Sequence, residues 1–167
     1  MRNSFNFNDL LILLGAAGCV WATVREARGR AIPQLHVIVP SLFATLSALI
    51  LLLLSAAAPP QPTNWEIALL VGLLVGAVRG TWMCVRVDHQ WNLVLLPRTK
   101  DGWTIALGFA LLVTIAIATP LAGGAGAPYQ VVMAIGAVFC AGFLVGRAGA
   151  ILIRLRVLPH FQLRGGY

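Results

Sequence analysis

Five runs of apolar residues, each about 15 to 25 long, are separated by short polar or proline-rich breaks, and this pattern constrains the fold more than any other feature. Runs of that length cross a hydrocarbon core of roughly 30 Å as helices. In lipid a chain must satisfy its own backbone polar groups, which restricts such runs to helices. The composition agrees: 59% of the 167 residues are hydrophobic and 10% are charged, against roughly a quarter charged in a soluble domain. The expected fold is an all-α polytopic membrane protein in one domain, residues 1–167. Its spans run over about 6–24, 35–58, 65–85, 103–122 and 129–155.

The first run contains Ala16-Ala17-Gly18-Cys19, a faint likeness to a lipoprotein cleavage site. Ala16 stands where such sites carry Leu or Val, so the run reads as an uncleaved span. Pro40 falls in the first turns of the second span, where a missing N–H costs least. Pro59, Pro60 and Pro62 then make an uncharged break. Between the third and fourth spans the pattern changes. Val85-Arg86-Val87, a polar Asp88-His89-Gln90 and Trp91 to Leu95 predict a short β-hairpin within about 85–98.

Charge fixes the expected orientation. Arg25, Arg28 and Arg30 follow the first span, with Glu26 counted among them in that loop. Arg86, Arg98 and Lys100 follow the third span, and Arg154, Arg156 and Arg164 the fifth. The breaks after the second and fourth spans carry no Lys or Arg. By the positive-inside rule the N-terminus lies outside, and the hairpin and C-terminus are cytoplasmic. The net charge of +7 then belongs to loops facing anionic headgroups rather than to a nucleic-acid surface.

Gly72-Leu-Leu-Val-Gly76-Ala-Val-Arg79-Gly80 holds the most informative local pattern. At about 100° per residue, Gly72, Gly76 and Arg79 share one face of the helix. Glycines four apart admit a neighbouring helix closely, within one chain or between protomers. The motif recurs seventy positions later as Gly142-Phe-Leu-Val-Gly146, an echo of the parallel repeats of some transporters, although Gly149 stands where Arg79 would repeat. Gly72, Gly76, Gly80, Gly142 and Gly146 are therefore the expected packing residues.

An arginine among apolar residues must snorkel, meet water or find a partner. No acid lies deep within the expected spans. Arg79 with Trp82 and Arg86 is thus either a snorkelling group or the anchor of a cytoplasmic-side pocket for a small anion or anionic headgroup. Arg147 lies about 100° round from Gly146 and is expected to point away from the ridge and snorkel.

Other chemistry finds little support. Cys19, Cys84 and Cys140 form no CxxC. His36, His89 and His160 have no ligand at i+3 or i+4, so neither a metal nor haem is expected. Asp9 and Glu66 mark the outer edges, and Asp88 and Asp101 fall in the polar segment after the third span, which disfavours a proton- or sodium-coupled pump. There is no nucleophile–base pair or phosphate loop. These absences point to a non-enzymatic accessory or interaction protein without a cofactor. Its contact surface for a membrane-protein partner or a second copy would be Arg86, Trp91 and Arg98.

The order of parts carries one resemblance. Arg25-Glu-Ala-Arg28-Gly-Arg30 closes an early span, Val37-Ile-Val-Pro40-Ser-Leu-Phe43 opens the next, the Gly72–Arg79 helix follows, and then come the hairpin and two more helices. This layout, over roughly residues 10–157, resembles the CcdC-like family of small bacterial inner-membrane proteins. The resemblance implies a multi-pass protein of the bacterial envelope and carries no catalytic residues over.

Overall fold

The computed structural model describes residues 6–29, 31–54, 62–88, 90–97, 100–121 and 127–159. Five helices, α1 (Phe7–Ala27), α2 (Val39–Leu54), α3 (Pro62–Trp82), α4 (Asp101–Leu121) and α5 (Ala127–Leu155), are long and apolar enough to cross a membrane, α2 together with the turn before it as Gln34–Leu53. Between them lie three short strands, β1 (Ala31–Pro33), β2 (Arg86–Asp88) and β3 (Leu93–Leu95). The chain is a multi-pass helical membrane protein by this architecture.

Helix α5 is the centre of the bundle. Over its best membrane-length window 61% of the residues are buried, against 17% in α3. It packs on α2, α3 and α4, and α1 closes the other side against α2 and α4. Ile12, Ala16, Cys19, Ala44, Phe109, Val113, Ala137 and Leu144 form the shared core. Small residues dominate it because helices in lipid gain from close van der Waals approach rather than from burial of large apolar groups.

The tightest seam joins α3 to α5. A Cβ on Gly72 would overlap the carbonyl oxygen of Phe139, one on Gly76 that of Phe143, and one on Gly146 that of Leu73. A Cβ on Gly80 would stand 2.7 Å from the Arg147 carbonyl, and one on Gly142 2.6 Å from that of Leu69. The partners rise together along both helices, so α3 and α5 run parallel. The two copies of the glycine motif face each other within one chain at the same depth.

At one end of the bundle the strands form a single antiparallel sheet in the order β1-β3-β2. Val94 is the middle residue of both pairings, opposite Ile32 on one side and Val87 on the other. These three side chains point inward and pack with Val37, Met83, Val85, Ala148, Ile151 and Leu155. The hairpin turn is organised by Asp88, whose Oδ1 accepts from the backbone N–H of Gln90 (3.0 Å) and of Trp91 (3.3 Å). Asn92, at φ 50°, supplies the left-handed residue before β3.

The hairpin lies within its expected bounds, but no residue pattern announces the third strand of the sheet. Strand β1 comes from the connection after α1 and is only three residues long, too short to show an alternating pattern. Two further differences matter for chemistry. Helix α1 runs on to Ala27 instead of stopping near residue 24, and α4 begins at Asp101 rather than Trp103. Glu26 and Asp101, both expected in polar connections, are thereby helical. A 3-10 turn at Gln34–Val37 also precedes α2, so the regular helix starts at Val39 rather than near Leu35. The proline-rich break at 55–61 and the glycine-rich break at 122–126 lie outside the described residues.

Candidate functional site

The residues with chemistry gather at the sheet end of the bundle. Trp21, Val24, Arg25 and Arg28 occur at i, i+3, i+4 and i+7 and therefore share one face of the last turns of α1. After Arg28 the helix ends at Gly29, whose φ of 65° takes the left-handed turn that a side chain would resist. That turn brings Ala31 and Ile32 back opposite the basic face. The result is a cleft of about 270 Å3 lined by Trp21, Val24, Arg25, Arg28, Ala31 and Ile32.

Two guanidinium groups supply the cleft's charge. The Arg25 group lies 5.7 Å from the centroid of the Trp21 ring, within cation–π range. Its Nη1 is also 3.4 Å from Nε2 of His36, which the 3-10 turn carries to the cleft. Among the described residues no carboxylate forms an ion pair with Arg25 or Arg28. The cleft can thus take an anion on two forked donors beside an aromatic face. Its size suits a phosphate or carboxylate group rather than a large cofactor.

The opposite face of the same turn is sealed. Glu26 is buried, and its Oε2 accepts a bond from Arg147 Nη1 at 2.9 Å. Both side chains are more than nine-tenths hidden. Thr23, Leu96, Pro97, Gly102 and Trp103 enclose them. Glu26 Oε1 and Arg147 Nε make no further hydrogen bond. The expectation that Arg147 snorkels is therefore overturned. Extending α1 by one turn places an acid inside the bundle, and pairing there is cheaper for the arginine than stretching to an interface.

Arg79 also has a partner. Its Nε donates to Asp101 Oδ2 at 2.5 Å, and the guanidinium and carboxylate form a salt bridge with roughly a third or more of each side chain exposed. The expectation that no acid was available to it fails because α4 starts two residues early, with Asp101 as its first residue. The other residues grouped with Arg79 stand apart from the cleft. The Trp82 ring is 76% exposed, and Arg86 is exposed on β2 beside inward-facing Val87. Trp91 projects from the hairpin turn, 55% exposed. Arg98, His89 and His160 lie outside the described residues.

The first turn of α4 is where the two arginines converge. Asp101 takes Arg79, while a Cβ on Gly102 would come within 3.1 Å of Arg147 Nη1. A helix N-terminus repels cations, and Asp101 offsets that repulsion where α4 begins. Among the described residues no cluster of His, Cys, Asp or Glu is arranged to hold a metal.

Sequence reasoning centred on Arg79 and passed over the cleft. The signal is the Trp21/Val24/Arg25/Arg28 spacing, which shows as a helix face only when α1 continues to Ala27; a helix that stops near residue 24 leaves both arginines as loop charge. Comparison with protein-family models, with curated proteins and with solved structures finds no match to this chain.

Proposed function

We propose that this is a non-enzymatic protein of a bacterial inner membrane that receives a small anionic group, such as the phosphate of a headgroup, in the Arg25/Arg28 cleft. The sheet end would face the cytoplasm, since Arg25, Arg28, Arg86, Lys100, Arg154 and Arg156 all belong to it or its flanks. One observation carries the reading: two arginines that have no carboxylate partner among the described residues line a concave site beside an exposed tryptophan. Trp21 belongs at the membrane–water boundary, where its ring tolerates both phases. Arg79, the first candidate by sequence, is less suited because Asp101 already neutralises it.

Binding of inorganic phosphate and of glycerol 3-phosphate to the purified protein tests this, with Arg25→Gln/Arg28→Gln beside the wild type. Loss of at least tenfold in affinity is expected. The corresponding double lysine variant should retain part of it, because a point charge replaces a fork. Equal binding by wild type and the glutamine variant would reject the cleft.

A second reading, that of an accessory protein in contact with a membrane-protein partner, is favoured by exposed Trp91 in the hairpin turn and exposed Arg86 on β2, both at the sheet end. Trp91→Ala should then abolish partner recovery in mild detergent while leaving anion binding in the cleft intact. Recovery unaffected by that change would count against this reading.

A further inference from the structure

A second concavity lies away from the cleft, on the lipid-facing side of the α3–α5 seam. Its floor is Ala77, Gly146, Gly149 and Ala150, and its walls are Leu73, Val145 and Ile153. The groove measures about 410 Å3 and its lining is entirely apolar along its length. Gly149 opens it: a Cβ there would meet nothing within 4 Å, whereas Gly146, one turn earlier, is pressed against α3. At the sheet end the groove closes on Thr81 and Arg154.

Arg154 is only partly engaged. Its Nη1 donates to the carbonyl oxygens of Gly80 (3.3 Å), Thr81 (2.6 Å) and Met83 (2.6 Å), capping the C-terminus of α3. None of those bonds uses Nη2 or Nε. The cap holds the guanidinium at the sheet end, just beyond the apolar lining, and among the described residues its Nη2 and Nε carry no bond.

An apolar trough about 12 to 14 Å long, roughly one leaflet's share of the hydrocarbon core, with a cation at its sheet end, matches one kind of molecule. We infer that the α3–α5 groove is a binding site for an anionic phospholipid. One acyl chain lies over Gly149, and the headgroup phosphate sits on Nη2 and Nε of Arg154. Charge complementarity at one end selects a lipid over a second copy of the chain, whose helix would bring its own residues against the cation. The site shares no residue with the Arg25/Arg28 cleft, so the two readings stand or fall separately.

The experiment is native mass spectrometry of the protein reconstituted with equal phosphatidylglycerol and phosphatidylcholine, then released from its carrier. Wild type should retain phosphatidylglycerol at least fivefold over phosphatidylcholine. Gly149→Leu, whose side chain would occupy the groove, should lose most of that adduct. Gly108→Leu on α4, where a Cβ likewise meets nothing within 4 Å, should retain it. Arg154→Gln should lose the preference between the two lipids, and Arg154→Lys should keep part of it.

Should Gly149→Leu fold poorly, wild type with a diazirine-tailed phosphatidylglycerol gives an independent reading, with crosslinks expected in the 145–154 segment. Three results would overturn the inference: equal retention of the two lipids by wild type, an adduct unchanged in Gly149→Leu but lost in Arg25→Gln/Arg28→Gln, or loss of a dimer in Gly149→Leu with lipid unchanged.

Discussion

Arg79 and Arg147 sit on parallel helices that pack against each other, and both meet an acid near the start of α4. Their surroundings nevertheless differ. The Arg147 pair is enclosed by side chains from α1, α4, α5 and the segment after β3, with 6% of the arginine and 4% of the glutamate side chain exposed. The Arg79 pair is open, at 40% and 35%. Helix position explains this: α5 has neighbours on most sides, whereas α3 packs chiefly on α5. A charge on the central helix must be neutralised within the protein, while one on the peripheral helix can also use headgroups and water.

The largest expected effect follows from the sealed pair. Removing one member leaves a buried charge without a counterpart, a loss of about 3–5 kcal/mol. Arg147→Met should lower stability by that order in detergent unfolding, and Glu26→Leu likewise. The double variant Glu26→Leu/Arg147→Met should recover most of the loss, because two apolar groups replace a pair that is itself costly to desolvate. A double variant as unstable as either single one would show that the pair fixes the packing of α1 on α5 beyond cancelling charge. The two buried atoms left without hydrogen bonds favour recovery instead, since the apolar pair removes their cost.

The difference between the two arginines was hidden from the sequence for a physical reason. Apolar run length places helices well but locates their ends poorly, since the last polar turn of a helix looks like loop. One extra turn moved Glu26 inside, and two residues moved Asp101 onto a helix. By contrast, the glycine motifs were legible because close helix approach demands glycine at fixed spacing. The same spacing could not say whether the partner was this chain or another. In the fold, Phe139, Phe143, Leu69 and Leu73 of the same chain lie against them. The hairpin was readable from its polar turn, whereas β1 draws its identity from pairing with β3 rather than from any local signal.

A smaller effect should come from Gly102, whose missing Cβ leaves room for the Arg147 guanidinium. Gly102→Val would push that group off Glu26 or force the first turn of α4 outward, an overpacking cost of about 1–3 kcal/mol. The measurement that sharpens the comparison is the same substitution in the Arg147→Met background. There the valine should cost much less, because the group it collides with has gone. An equal cost in both backgrounds would place the strain in α4 itself and detach Gly102 from the ion pair.

The smallest effect belongs to the open pair. With both side chains substantially exposed, Arg79→Gln and Asp101→Asn should each change stability by little, and their coupling in a double-mutant cycle should be about 0.2–1 kcal/mol. Salt separates the two regions most directly. Screening at roughly 1 M salt reaches only exposed charges, over about 3 Å, so the Arg79–Asp101 coupling should shrink while the Glu26–Arg147 coupling holds. Asp101→Asn should cost slightly more than Arg79→Gln, since the carboxylate also faces the positive end of α4. A salt-insensitive coupling of several kcal/mol at Arg79 would mean that lipid seals this pair as thoroughly as protein seals the other. The contrast between central and peripheral helix would then dissolve.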